Sequence, residues 1–191
     1  MPPFLITEIG WPVGTGHRYV DEETAASFLV RFLLLARARP WIEGVWWYSL
    51  ELSSNPNARF SLVRAGGRKT AAYGAFKALA PYIRRTVSAK QRRVDGVYEV
   101  SLELDRGRYL TAYWKESAAG PTRRVAPISP DQDFRIVWGR DALRLNADAD
   151  LTVTTVPLLI EHGAARPKLA TATPPQVARR SEGRLEGTWL R

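Results

Sequence analysis

No cysteine occurs among the 191 residues, which excludes a disulfide framework and any thiolate metal site. Histidine is nearly as scarce. His17 and His162 are the only two and stand far apart, which argues against a structural zinc, and no motif calls for a metal or another cofactor. Long apolar runs are missing too. A membrane-crossing helix needs roughly 20 consecutive apolar residues, whereas the longest candidate, Phe28 to Ala36, is broken by Arg31, so no membrane span is expected. The opening residues, Met-Pro-Pro-Phe-Leu-Ile-Thr-Glu, lack the basic region of a signal peptide and enter directly into a strand-like run, as if internal to a larger protein. What is present, 45% hydrophobic residues in a chain of this length, suits a soluble globular protein of one domain or two small ones.

Lysine and arginine outnumber the acids, giving a formal charge of +9. Its placement matters more than its size. Basic residues cluster at Arg84, Arg85, Lys90, Arg92 and Arg93, and again near the C-terminus from Arg166 to Arg191. A solvated linker and a basic tail account for both clusters. No aromatic-basic motif accompanies them, so nucleic acid is not the expected partner.

Phe4-Leu5-Ile6-Thr7 is a short, β-branched apolar run, the pattern of a parallel strand covered on both faces. A Gly- and Pro-rich loop follows. Asp21 then stands at a helix N-cap position, with Glu22 and Glu23 in the first turn and apolar residues at helical spacing from Ala25 to Ala36, until Pro40 stops the run. Gly44 to Leu50 is a second strand-like run, and Lys69 to Tyr82 a second helical one. The order is β-α-β-α. From Val94 the pattern changes to alternation, Val97, Glu99, Ser101 and Glu103 interleaving with Tyr98, Val100, Leu102 and Leu104, as in a half-buried strand with one wet face. Asp105-Arg106-Gly107 supplies a hairpin turn into Arg108 to Lys115, and further strands are expected at Phe134–Trp138, Ala142–Asn146, Leu151–Thr154 and Leu158–Glu161. The expected organisation is an α/β segment at 1–85, a basic linker at 86–93, an antiparallel β-sandwich at 94–163 and a disordered basic tail at 164–191, where Trp189 alone is suited to docking.

Glu8 directly follows the first strand run, at the end where parallel βα units project their working groups. Taken alone it reads equally as a site carboxylate or as a structural one bonded to Arg18 or backbone. Its neighbours add to this. Thr7-Glu8-Ile9-Gly10-Trp11-Pro12 resembles the T-E-[FIL]-G-W-P signature around the nucleophile of clan A glycoside hydrolases. Val45-Trp46-Trp47-Tyr48-Ser49-Leu50 is similar to their eighth barrel strand. Arg59-Phe60-Ser61-Leu62-Val63 resembles their FGL turn, with Ser61 in place of the usual glycine, and Lys69-Thr70-Ala71-Ala72-Tyr73 resembles the KPAYxAF opening of the last helix, without its proline. The resemblance is to family 39-like and family 5-like enzymes that act on plant or bacterial exopolysaccharides. Such enzymes often end in a β-sandwich, whose last strand Pro157-Leu158-Leu159-Ile160-Glu161 resembles.

The resemblance implies an α/β plus all-β protein: the C-terminal quarter of a (β/α)8 barrel followed by an antiparallel sandwich. It implies a retaining mechanism, in which one carboxylate attacks the anomeric carbon and a second, about 5 Å away, acts as acid and base. Glu8 would be the nucleophile. The acid/base glutamate of such enzymes ends the fourth barrel strand, and this chain resembles only the last two βα units. Glu22, Glu23 and Glu43 are poorly placed to replace it, and Glu51 is the least unsuited. Aromatic faces stack on sugar rings. Trp47 is therefore the expected sugar platform, with Trp11, Tyr48 and His17 as further substrate contacts. Alternation puts Trp46 and Trp47 on opposite faces, and Trp46 is expected to be plain packing.

The partners implied are a polysaccharide or oligosaccharide and an N-terminal barrel fragment that completes the fold. A secreted or periplasmic setting fits the resemblance. The rival expectation is an inactive glycan-binding or structural β-sandwich module.

Overall fold

The computed structural model describes residues 2–51, 56–126, 135–138, 151–164 and 166–171. The expected strand at Ala142–Asn146 and the tail from residue 172, Trp189 included, lie outside the described residues. The N-terminal part runs β1 (Phe4–Ile9), α1 (Glu22–Arg37), β2 (Ile42–Trp47) and α2 (Ala71–Arg85), as the order of apolar runs suggested. β1 and β2 pair in parallel, and among the described residues they form a two-stranded sheet.

Each helix begins on a side-chain cap. The Asp21 carboxylate accepts from the Thr24 backbone N–H at 2.7 Å, and this bond holds its carboxyl below the usual range. Thr70 caps α2, accepting from the Tyr73 N–H at 3.2 Å while its hydroxyl donates to the Leu62 carbonyl at 2.8 Å. Glu22 joins the two helix starts. It accepts from Arg68 at 2.9 Å and from the Ala71 N–H at 3.4 Å, and the Arg68 guanidinium is the main cause of its lowered pKa.

After α2 the chain enters β3 (Thr86–Val94), β4 (Val97–Leu104), β5 (Tyr109–Lys115), β6 (Arg123–Ala126), β7 (Arg135–Trp138), β8 (Leu151–Val153), β9 (Leu158–His162) and β10 (Lys168–Thr171). All pairings are antiparallel, in a five-stranded sheet ordered β3-β4-β5-β9-β7 and a three-stranded sheet ordered β10-β6-β8. Residues 86–93 are thus a strand and not a linker. The local signal for it is Asp95-Gly96. Both residues have positive φ, 49° and 76°, and Val94 pairs with Val97 across them, the two-residue turn that Asp-Gly favours. The basic side chains Lys90, Arg92 and Arg93 lie exposed on this edge strand, where charge discourages pairing with other chains. Residues 168–171, expected in a disordered tail, pair with β6.

The face of β4 expected to be wet is buried as well, except at Glu103. Val97, Glu99 and Ser101 turn toward the smaller sheet, where Val97, Tyr113 and Ile160 pack against Val125 and Val153. Burial of these polar groups is met by pairing. Glu99 faces Arg92 at 2.7 Å and Arg166 at 3.8 Å. Ser101, Thr111 and His162 form a chain of contacts at 3.1 and 2.8 Å, and His162 Nδ1 donates to the Gly163 carbonyl at 2.7 Å.

The opposite face of the five-stranded sheet, including Val100, Leu102, Leu110 and Trp114, shares one buried cluster with Leu29, Leu34, Ala75 and Leu79 of the helices. Each fully buried leucine contributes about 1.5–3 kcal/mol. The helices form a middle layer, packed on each other, with α1 meeting β2, and α2 meeting β4 and β7. The β1–β2 sheet is covered by helices on one face alone among the described residues. Phe4, Leu5 and Trp46 are more than half exposed, contrary to the expectation of strands covered on both sides.

Candidate functional site

Glu8 lies within β1, one residue from its end, and is exposed. Ile9 pairs with Trp47, and Trp47 packs against the helix cluster, so Ile9 and Trp47 share the helix-covered face. Side chains alternate along a strand. Glu8 and Trp46, each one residue earlier, therefore share the bare face, and Tyr48 follows Trp46 on that side. No hydrogen bond or ion pair to Glu8 occurs among the described residues, so the alternative of a glutamate tied to Arg18 is not what the geometry presents.

The expected aromatic contacts are divided. Trp47 donates its indole N–H to the Phe60 carbonyl at 3.0 Å, and its ring lies 5.7 Å from that of Trp11. Trp11 in turn packs on Phe28 and Phe32 of α1, at 5.3 and 6.3 Å between ring centres. Both tryptophans belong to the helix side. Trp46 is 53% exposed, with its indole folded back over Gly44, where a Cβ would come within 2.7 Å of the ring. Tyr48 is half-buried, its ring 5.8 Å from Phe60, and its N–H donates to the Ile9 carbonyl at 2.8 Å. The Tyr48–Ser49 peptide is cis. His17 is exposed on the loop that the Val13–Val20 bridge closes.

The loops after the two strands are fastened together at this end of the sheet. The Val13 N–H donates to the Arg59 carbonyl at 3.0 Å, and the Arg59 guanidinium lies 4.4 Å from the centre of the Tyr19 ring. Gly10 is required by close approach, since a Cβ there would stand 2.5 Å from the Tyr48 carbonyl oxygen. Among the other acids, Glu22 is committed to the helix junction, while Glu43 and Glu51 are exposed. Trp46, expected to be plain packing, is instead exposed. The alternation was visible, but which face the helices cover required the register of β1 on β2.

Among the described residues no helix is long and apolar enough to cross a membrane, and no three His, Asp or Glu residues cluster as metal ligands would. No protein-family model matches the chain, and no curated protein matches it. Among solved structures the fold is similar to that of a family 39 glycoside hydrolase from the gut symbiont Bacteroides cellulosilyticus WH2, with a TM-score of 0.64 and 20% identity over 83% of this chain. The match takes in 33% of the hydrolase, so the chain shares the fold of a third of a family 39 glycoside hydrolase.

Proposed function

We propose that the chain is the C-terminal part of a retaining glycoside hydrolase that cleaves O-glycosidic bonds in a polysaccharide or oligosaccharide. The observation that carries this reading is Glu8, exposed and without a bonding partner among the described residues, near the end of a parallel strand on the face that the helices leave bare. The T-E-I-G-W-P sequence around it and the likeness of fold to a family 39 hydrolase support the same reading. In this mechanism the Glu8 carboxylate attacks the anomeric carbon as the leaving oxygen takes a proton from a second carboxylic acid. That second group then draws a proton from the water that releases the sugar. The second carboxylate comes from barrel units outside these residues, so the chain alone is inactive. Tyr48 and Trp46, on the Glu8 face, are the sugar-facing aromatics, and Trp47 and Trp11 support them from the helix side.

The test is hydrolysis by the enzyme reconstituted from this chain and the remaining barrel units. Glu8→Gln should lower kcat by orders of magnitude while leaving the thermal transition in place. An unimpaired rate would remove Glu8 from the mechanism. The sandwich offers less for a glycan-binding reading, since Tyr113 and Trp114 are buried.

A further inference from the structure

Between the first half of α1 and the sandwich a cleft of about 740 Å³ stays open. Its size falls within the roughly 300–1,000 Å³ usual for small-molecule sites. One wall is α1, and the other is made by the loop after β5, at Glu116, Ser117 and Ala118, and the loop before β9, at Thr155 and Val156. The cleft stands apart from the face that carries Glu8. Phe28, which lines it, packs on Trp11 on the helix side of the β1–β2 sheet.

The α1 wall is a polar stripe. Glu23, Ser27 and Arg31 recur every fourth residue, so they stand one above the other on a single helix face, and all three line the cleft. None of the three has a hydrogen bond or ion pair among the described residues. Ser27 is 4% exposed, and buried hydroxyls are ordinarily paired. Here the hydroxyl faces the cleft with nothing to bond. The Arg31 guanidinium lies 5.7 Å from the centre of the Phe28 ring, and its Nε is shielded from solvent without an acceptor. Thr155, on the opposite wall, adds a second hydroxyl that has no partner among the described residues.

Charge narrows what fits. The other carboxylates of the lining are already engaged: Asp21 caps α1, Glu22 holds Arg68, and Glu116 pairs with Arg93. That leaves one carboxylate, Glu23, and one guanidinium, Arg31, about 12 Å apart along the helix at about 1.5 Å per residue. A ligand of either net charge is drawn to one pole and repelled by the other. A neutral ligand rich in hydroxyls suits both, because a carboxylate accepts from hydroxyls and a guanidinium donates to hydroxyl and ring oxygens.

We propose that this cleft binds a neutral oligosaccharide segment, at a site separate from the one that holds Glu8. Glu23 and Arg31 grip its two ends, Ser27 and Thr155 bond the sugar between them, and the Phe28 ring meets its C–H groups. The site uses none of the residues of the proposed reaction.

The test titrates the isotope-labelled full chain with cellohexaose, xylohexaose and mannohexaose, each to millimolar concentration, and follows the amide shifts. At least one of the three should bind and move the amides of residues 23–31 and 116–118. Glu23→Gln, Ser27→Ala and Arg31→Met should keep the circular dichroism and thermal transition of the chain and each raise Kd about tenfold. Val87→Asp, 70% exposed on β3, should leave Kd unchanged. Three outcomes overturn the proposal: no shift with any of the sugars, shifts confined to residues 4–9 and 42–48, or a Kd indifferent to all three α1 substitutions. Tighter binding of a galacturonate hexamer than of the neutral sugars would overturn the assigned ligand class. Glu8→Gln should leave Kd at the cleft unchanged, so binding without hydrolysis would count against the glycosidase reading alone.

Discussion

Trp46 and Trp47 are adjacent and chemically identical, and the fold gives them opposite work. Trp47 is fixed by its indole hydrogen bond to Phe60 and by contact with Trp11, while Trp46 stands in the open on the Glu8 face. Trp47→Ala should therefore cost about 2–4 kcal/mol of stability, measured by denaturant unfolding of the chain alone. Trp46→Ala should leave that stability within about 0.5 kcal/mol and lower kcat/KM of the reconstituted enzyme. Gly10 shows the opposite situation, a position where one methyl group is too much. Its Cβ would fall 2.5 Å from the Tyr48 carbonyl oxygen, so Gly10→Ala should lower the melting temperature and shift the loop that follows Glu8.

Among the elements, the helix starts titrate. Asp21 and Glu22 both have lowered pKa values in the folded chain, from the Thr24 hydrogen bonds and the Arg68 bond respectively. Their contribution is fully present at neutral pH and is lost as pH falls through the carboxylate range, below about 4. Asp21→Ala should cost about 1 kcal/mol at pH 7 and less at pH 3, a difference that thermal melts at the two pH values would read. The helices and the β4–β5 hairpin were legible in the sequence, because the Asp21 cap, helical spacing and the Asp105-Arg106-Gly107 turn act locally. The character of β3 and of the inner face of β4 was not. Arginines on an edge strand look like those of a linker, and Glu99 and Ser101 look solvent-facing until a second sheet covers them. The motif drew attention to Glu8, Trp47, Trp11 and Tyr48, but that Trp11 and Trp47 pack toward the helices depends on which face of the strands the helices occupy, a long-range fact.

For the molecule as a whole, one cluster of buried residues joins the helices to the five-stranded sheet. The chain should unfold in a single transition with equal calorimetric and van't Hoff enthalpies, and Leu79→Ala, at the middle of that cluster, should destabilise it by about 2–5 kcal/mol. The division drawn in the sequence near residues 86–93 therefore looks like a natural point for genetic recombination and is a poor one. Replacing everything after it with an unrelated domain would strip the outer side of α2, which β4 and β7 cover. The two halves of this chain pack as one unit, so a change in a helix side chain within the shared cluster is felt by the strands on the other side as well.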